Sequence, residues 1–71
     1  MKIIMLQRLN PTTFENEGGL FINADHISAL IPRMAVNDGD RIYRCEILLS
    51  NGVVYLVPFG VQEIYDMILT L

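Results

Sequence analysis

Few side chains in this 71-residue sequence are of the types that carry out chemistry, and none has the neighbours that chemistry would need. His26 is the single histidine, and a base or ligand standing alone is better interpreted as a surface or capping residue. Cys45 is the single cysteine, and in an apolar stretch it is expected to behave as a small hydrophobic side chain. Residues 38–40 (Asp-Gly-Asp) match a fragment of a calcium loop without its other ligands, and Gly18-Gly19 lacks the Lys-Ser/Thr of a phosphate-binding loop. The sequence therefore predicts a protein that is not an enzyme and that needs no cofactor or metal.

The charge balance argues against nucleic acid as a partner. The formal net charge is -3, and the sequence has only five basic residues, which are Lys2, Arg8, Arg33, Arg41 and Arg44. Proteins that bind nucleic acids gain most of their affinity by neutralising phosphates. Three aromatic residues, Tyr43, Tyr55 and Phe59, could stack on bases, but no basic stripe is interleaved with them. We expect them to be core or interface residues.

The size of the chain predicts one domain, residues 1–71, that is stabilised by association. A domain this small buries only about 60% of its unfolded surface and usually needs disulfides, metals or oligomerisation. One cysteine excludes a disulfide within the chain, and the hydrophobic content of 52% favours a homo-oligomer. The sequence shows no evident signal peptide and no apolar run near the ~18 residues of a membrane span, so a cytoplasmic location is expected.

The hydrophobic pattern predicts five strands followed by a helix. The strands are expected at residues 2–9, 20–22, 27–31, 41–50 and 53–57, with an exposed loop at 12–19 and turns at 23–25, 37–40 and 51–52. Pro32 is expected to end the third strand, because proline cannot donate to a sheet. From Gly60, a suitable N-cap, the pattern changes to helical spacing, with apolar Val61, Ile64, Tyr65, Ile68 and Leu71. The fold class predicted is mainly β (α+β), a five-stranded antiparallel meander or small open barrel with one C-terminal helix.

The hairpin between the last two strands carries an unusual amount of apolar surface. Asn51-Gly52 is the strongest signal for a two-residue turn, which would pair Leu49 with Val54. One face would then be ordinary core, made of Cys45, Ile47, Leu49, Val54 and Leu56. The other face would also be mostly apolar. Either the curling of the sheet or the helix covers this face, or the face packs against a partner. The predicted interface consists of Leu48, Val53, Tyr55, Val57 and Phe59.

Four short stretches of the sequence form a recognisable pattern. They are residues 6–10 (Leu-Gln-Arg-Leu-Asn), 21–27 (Phe-Ile-Asn-Ala-Asp-His-Ile), 45–52 (Cys-Glu-Ile-Leu-Leu-Ser-Asn-Gly) and 61–64 (Val-Gln-Glu-Ile). Together they resemble the small flagellar FlbD/SwrD family, with its L-T-R-L-N-G start, F-x-L-N-P-D-x-I middle and I-T-L-T-N-G hairpin. The chain departs from that family at Val53-Val54, where lysines are usual, and at 58–60 (Pro-Phe-Gly), where charged residues begin the helix. The resemblance implies a non-enzymatic accessory of flagellar motility, and the apolar departures indicate a different or additional partner.

A second likeness, at the start of the chain and at residues 62–65, is to the CsrA family of RNA-binding regulators. That family relies on basic residues at its strand edges, which this chain lacks apart from Arg8 and Arg44. The leading expectation is an oligomeric protein-interaction module with a protein partner. The alternative is a small phage or mobile-element regulator that binds a host protein, small ligand or RNA at a subunit interface.

Overall fold

A computed structural model describes residues 2–37 and 39–71 of the chain. Its elements are β1 (Ile3–Leu9), β2 (Asn16–Asn23), a short 3-10 helix (Ala24–His26), β3 (Ile27–Asn37), β4 (Asp40–Leu49), β5 (Val54–Val57) and α1 (Val61–Leu69). The five strands form one antiparallel sheet in the order β2-β1-β5-β4-β3, which leaves β2 and β3 at its edges. The predicted fold class is confirmed, and in the described residues the sheet is open and does not close into a barrel.

The helix lies on one face of the sheet, and the main core lies between them. Alternate residues of β1, β2, β4 and β5 point towards α1, which contributes Ile64. The buried cluster consists of Ile4, Leu6, Ile22, Cys45, Ile47, Val57 and Ile64. An α-helix of nine residues is too short to be stable alone in water, so packing on the sheet is what holds it.

The start of the helix follows the sequence prediction. Gly60 is the N-cap, and its amide donates to Oε1 of Glu63 at 3.4 Å, which also places a negative charge in the first turn. Of the apolar residues predicted for its inner face, Val61, Ile64 and Ile68 pack on the core, whereas Tyr65 and Leu71 are exposed.

Two strands extend beyond their predicted limits. β2 begins at Asn16, inside the predicted loop, because Asn16 pairs with Leu9 and its side-chain amide donates to Oε1 of Gln7 at 2.7 Å. β3 continues through Pro32 as far as Asn37, so the expectation that proline ends this strand is wrong. β3 is an edge strand, where the missing N–H of proline can face away from the neighbouring strand.

The register of the β4–β5 hairpin differs by one residue from the prediction. Leu48 pairs with Val54, and the turn contains three residues, because the amide of Leu49 donates to the carbonyl of Val53 at 2.9 Å. Gly52 has a φ of +88°, as expected for a three-residue turn that ends in a left-handed glycine. A one-residue shift moves every β5 side chain to the other face. Val57 is therefore in the core, and Val54 is on the face opposite the helix.

Candidate functional site

The face of the sheet opposite the helix, called here the open face, carries large exposed hydrophobic side chains. Met5 and Phe21 are cross-strand partners on β1 and β2 and are 71% and 69% exposed, and Ile3 beside them is 41% exposed. The neighbouring pairs on the same side, Ile3 with Asn23 and Gln7 with Gly19, are also uncharged. We call this surface the uncharged strip; its residues are Ile3, Met5, Gln7, Gly19, Phe21 and Asn23.

A groove lies on the same sheet, where residues 10–15 fold beside β3, β4 and β5. Leu9 and Leu56 pair across the junction of β1 and β5 and are buried, although they are not part of the main core cluster. With Val54 they supply the apolar part of a half-open groove of about 640 Å³. The charged part of its lining is Arg8, Arg33, Arg44, Glu17 and Glu46, and we call this site the arginine groove.

The charges in the groove are only partly balanced. Nε of Arg33 donates to Oε1 of Glu46 at 2.6 Å, and this hydrogen bond, with the charge of Glu46, raises the pKa of Arg33. Cζ of Arg44 lies 4.2 Å from the centroid of the Phe14 ring, in a cation–π contact. Among the residues that the structure describes, neither Arg8 nor Arg44 forms an ion pair. The groove therefore has guanidinium charge that no carboxylate among the described side chains contacts.

A hydrogen-bonded loop holds the aromatic wall of the groove in place. Oδ1 of Asn10 accepts from the amides of Thr12 and Thr13 at 2.8 and 3.0 Å, and the carbonyl of Asn10 accepts from the amide of Phe14 at 2.8 Å. The amide of Asn10 donates to the carbonyl of Glu15 at 2.8 Å and closes the loop. Within this frame Phe14 has a φ of +62°, a left-handed conformation that is uncommon for a bulky residue.

The residues predicted to form an interface do not share one surface. Val57 is fully buried in the core, and Tyr55 and Phe59 are half-buried and pack against that core. Leu48 is half-buried on the open face, where it pairs with Val54, and Val53 follows the turn and is 39% exposed. Leu48, Val53, Tyr55 and Val57 were grouped by the two-residue turn, and they separate because the structure has a three-residue turn there instead.

The structure also shows where the residues first considered for chemistry lie. His26 is exposed at the end of the 3-10 helix, with Nδ1 3.4 Å from Oγ of Ser50. Cys45 is fully buried, and burial, followed by the negative charge of Glu63, raises the pKa of its thiol to about 11. In the predicted 38–40 turn, Asp38 lies outside the described residues. The described residues contain no group of three or more His, Cys, Asp or Glu side chains that could hold a metal ion.

Sequence reasoning missed the arginine groove, although one signal for it was present. Arg33 and Arg44 are direct cross-strand partners in the β3–β4 ladder. The turn at 37–40 was predicted, and counting back from it would have placed these arginines opposite each other. Ending the strand at Pro32 removed Arg33 from the sheet and concealed the pair.

Comparison with protein-family models, curated proteins and solved structures finds no match to the chain. The only helices that the described part of the chain forms are too short to cross a bilayer.

Proposed function

We propose that this protein is a non-enzymatic protein-interaction module whose uncharged strip binds a second copy of the same chain. The observation that carries the proposal is the exposed pair Met5 and Phe21, which lie directly opposite each other on the open face. Single exposed hydrophobic residues are ordinary, whereas adjacent large ones indicate a surface that a partner covers.

A second copy suits this surface because a two-fold contact places a patch against itself. A patch with charges of one sign resists such pairing, since it meets a patch of the same sign. The cross-strand pairs of the strip contain no charged residue, so its self-contact buries Met5 and Phe21 without like-charge repulsion. A domain whose main core cluster has seven buried side chains among the described residues also gains stability from that extra apolar burial.

The biological setting of this module is a separate part of the proposal. Resemblance to the FlbD/SwrD family makes a component of flagellar motility the first protein partner to test, with a cytoplasmic location. The alternative is a phage or mobile-element regulator that binds a host protein. Flagellar genes beside the coding sequence would favour the first setting, and phage genes would favour the second.

Sedimentation equilibrium at tens of micromolar tests the self-association. Burying a large side chain stabilises a contact by about 1.5–3 kcal/mol. Because a two-fold contact contains Phe21 twice, and each ring can bury only the 69% of its surface that is exposed, Phe21→Lys should weaken the contact by about 2–4 kcal/mol, which raises Kd about 30-fold or more. The matched control is Leu69→Lys, since Leu69 is 63% exposed but lies on the helix.

The expected result is a wild-type mass of twice the 8.1 kDa chain, a monomer for Phe21→Lys and an unchanged dimer for Leu69→Lys. Circular dichroism should show all three proteins folded. A monomeric wild type would overturn the proposal. Equal dissociation by both substitutions would show that the contact is not the uncharged strip.

A further inference from the structure

We infer that the arginine groove is a second binding site, which takes an extended peptide segment carrying a carboxylate beside an apolar side chain. The inference rests on the proposed function only for the class of partner, a protein, and does not depend on self-association. Three observations support it. They are the cross-strand pair of Arg33 and Arg44, the apolar residues that line the groove, and the hydrogen-bonded loop that holds Phe14 in place before any ligand binds.

The first step is the concentration of positive charge. Arg33 and Arg44 occupy directly opposite positions on β3 and β4, an arrangement that is unfavourable for like charges. Glu46 contacts Arg33, which leaves Arg44 without an ion-pair partner among the described residues, and Arg8 adds a further guanidinium to the lining. A carboxylate in the groove would relieve this repulsion and accept charge-assisted hydrogen bonds.

The second step is the orientation of the donors. The cation–π contact holds the Arg44 guanidinium over the ring of Phe14 at 4.2 Å. The guanidinium has five N–H donors in a fixed fork, and those that the ring leaves free can reach a carboxylate with both oxygens. The contact with Phe14 also limits the rotamers of Arg44, so less conformational entropy is lost when a ligand binds.

The third step is that the wall is preorganised. The hydrogen bonds of Asn10 hold the loop that carries Phe14 in its left-handed conformation. Such a conformation in a bulky residue is unfavourable and tends to be retained where a side chain must point in one direction for binding. Here that direction places the ring against Arg44, at the side of the groove.

The fourth step selects the kind of ligand. Leu9, Val54 and Leu56 offer an apolar surface, and a volume of about 640 Å³ falls within the usual range of small-ligand pockets. Two carboxylates, Glu17 and Glu46, share the lining, and the whole chain carries a net charge of -3. These negative charges oppose a polyphosphate backbone, whereas a peptide with one carboxylate and one apolar side chain satisfies both halves of the groove.

The test is a selection from a random octapeptide library displayed on phage, with the full-length protein immobilised. We expect enrichment of Asp or Glu next to a large apolar residue. The best recovered peptide, made synthetically and followed by fluorescence anisotropy, should lose at least about tenfold in affinity when its carboxylate is changed to the isosteric amide. Its binding should also weaken as salt is raised.

Three variants locate the site. Arg44→Gln and Phe14→Gly should each weaken the recovered peptide at least about tenfold, the first by removing the charge and the second by removing the ring. Phe14→Gly also relieves the left-handed strain, so its melting temperature should not fall, which separates lost binding from lost folding. Lys2→Gln removes one positive charge outside the groove and should leave binding unchanged.

Absence of enrichment, a recovered motif without acidic residues, or equal weakening by Lys2→Gln would each overturn the inference. Competition by a single-stranded oligonucleotide more effective than the peptide would also overturn it in favour of a nucleic-acid site. Sedimentation of the wild-type protein, beside its peptide binding, separates the two proposals. A dimer that binds no peptide rejects the groove alone, and a monomer that binds peptide rejects the self-association alone.

Discussion

Two valines on β5 test the packing of the hairpin, because they are identical in type and lie on opposite faces. Val57 is fully buried, whereas Val54 is 48% exposed. Changing either to alanine removes the same two methyl groups and changes strand propensity in the same way. Any difference in the free energy of unfolding between the two variants therefore reflects the difference in burial of the two side chains.

The size of that difference follows from the two environments. At about 0.8 kcal/mol for each buried carbon, Val57→Ala loses about 1.6 kcal/mol of transfer free energy, and the cavity brings the cost to about 2–3 kcal/mol. Val54→Ala loses about half of the transfer term and leaves no closed cavity, so it should cost less than about 1 kcal/mol. For a domain of this size the difference corresponds to about 5 °C or more in melting temperature.

Urea unfolding followed by circular dichroism at low micromolar protein concentration measures the free energy of unfolding of both variants. The two values can be compared if the slope of that free energy against urea concentration is unchanged. The low concentration keeps any association from contributing to the free energy of unfolding. The two-residue-turn register makes the opposite prediction, because it places Val54 in the core and Val57 outside. A larger cost for Val54→Ala than for Val57→Ala would refute the observed pairing of Leu48 with Val54.

Two core residues, Ile64 and Cys45, give further predictions. Ile64→Ala should lower the free energy of unfolding by about 2–5 kcal/mol, because Ile64 is the fully buried residue of a helix that is too short to persist alone. Leu69→Ala changes an exposed residue of the same helix and should cost less than about 0.5 kcal/mol in the same urea titration. Cys45 should resist a thiol reagent at pH 8 until urea unfolds the chain, since burial raises its pKa to about 11, and rapid labelling of the folded protein would contradict this packing. Because the folded protein keeps the thiol proton to higher pH than the unfolded chain, stability should also fall as the pH rises from about 9 towards 11.

Local signals were enough to predict most of the elements. The run of aliphatic residues in β1 and the N-cap at Gly60 each depend on neighbouring residues, and the structure has both. The pairing of Asn37 with Asp40 is the one that the predicted turn requires. The length of β3 was underestimated, because whether Pro32 is tolerated depends on which strands lie beside it, and the edge position of β3 is a property of the whole sheet.

The hairpin register could not be read from Asn51-Gly52 alone. The pair suits a two-residue turn, and it also suits a three-residue turn that ends in glycine, since both place Gly52 at positive φ. In the structure the three-residue turn is accompanied by a long-range hydrogen bond, in which the amide of Ser50 donates to the carbonyl of His26 at 2.8 Å. The groove escaped prediction for a similar reason, because the contact of Phe14 with Arg44 joins residues far apart in the sequence.

Self-association through the uncharged strip is the central claim, and an intermolecular nuclear Overhauser effect tests it most directly. Protein that carries protonated, ¹³C-labelled methionine methyl groups in an otherwise deuterated chain is mixed with unlabelled protein, so an isotope-filtered spectrum records only contacts between copies. We predict a filtered cross-peak from the Met5 methyl of one copy to the Phe21 ring of the other, which is lost in Phe21→Leu. The absence of any intermolecular peak from Met5 at tens of micromolar or above, when a fully protonated sample shows the cross-strand peak between Met5 and Phe21, would contradict the account.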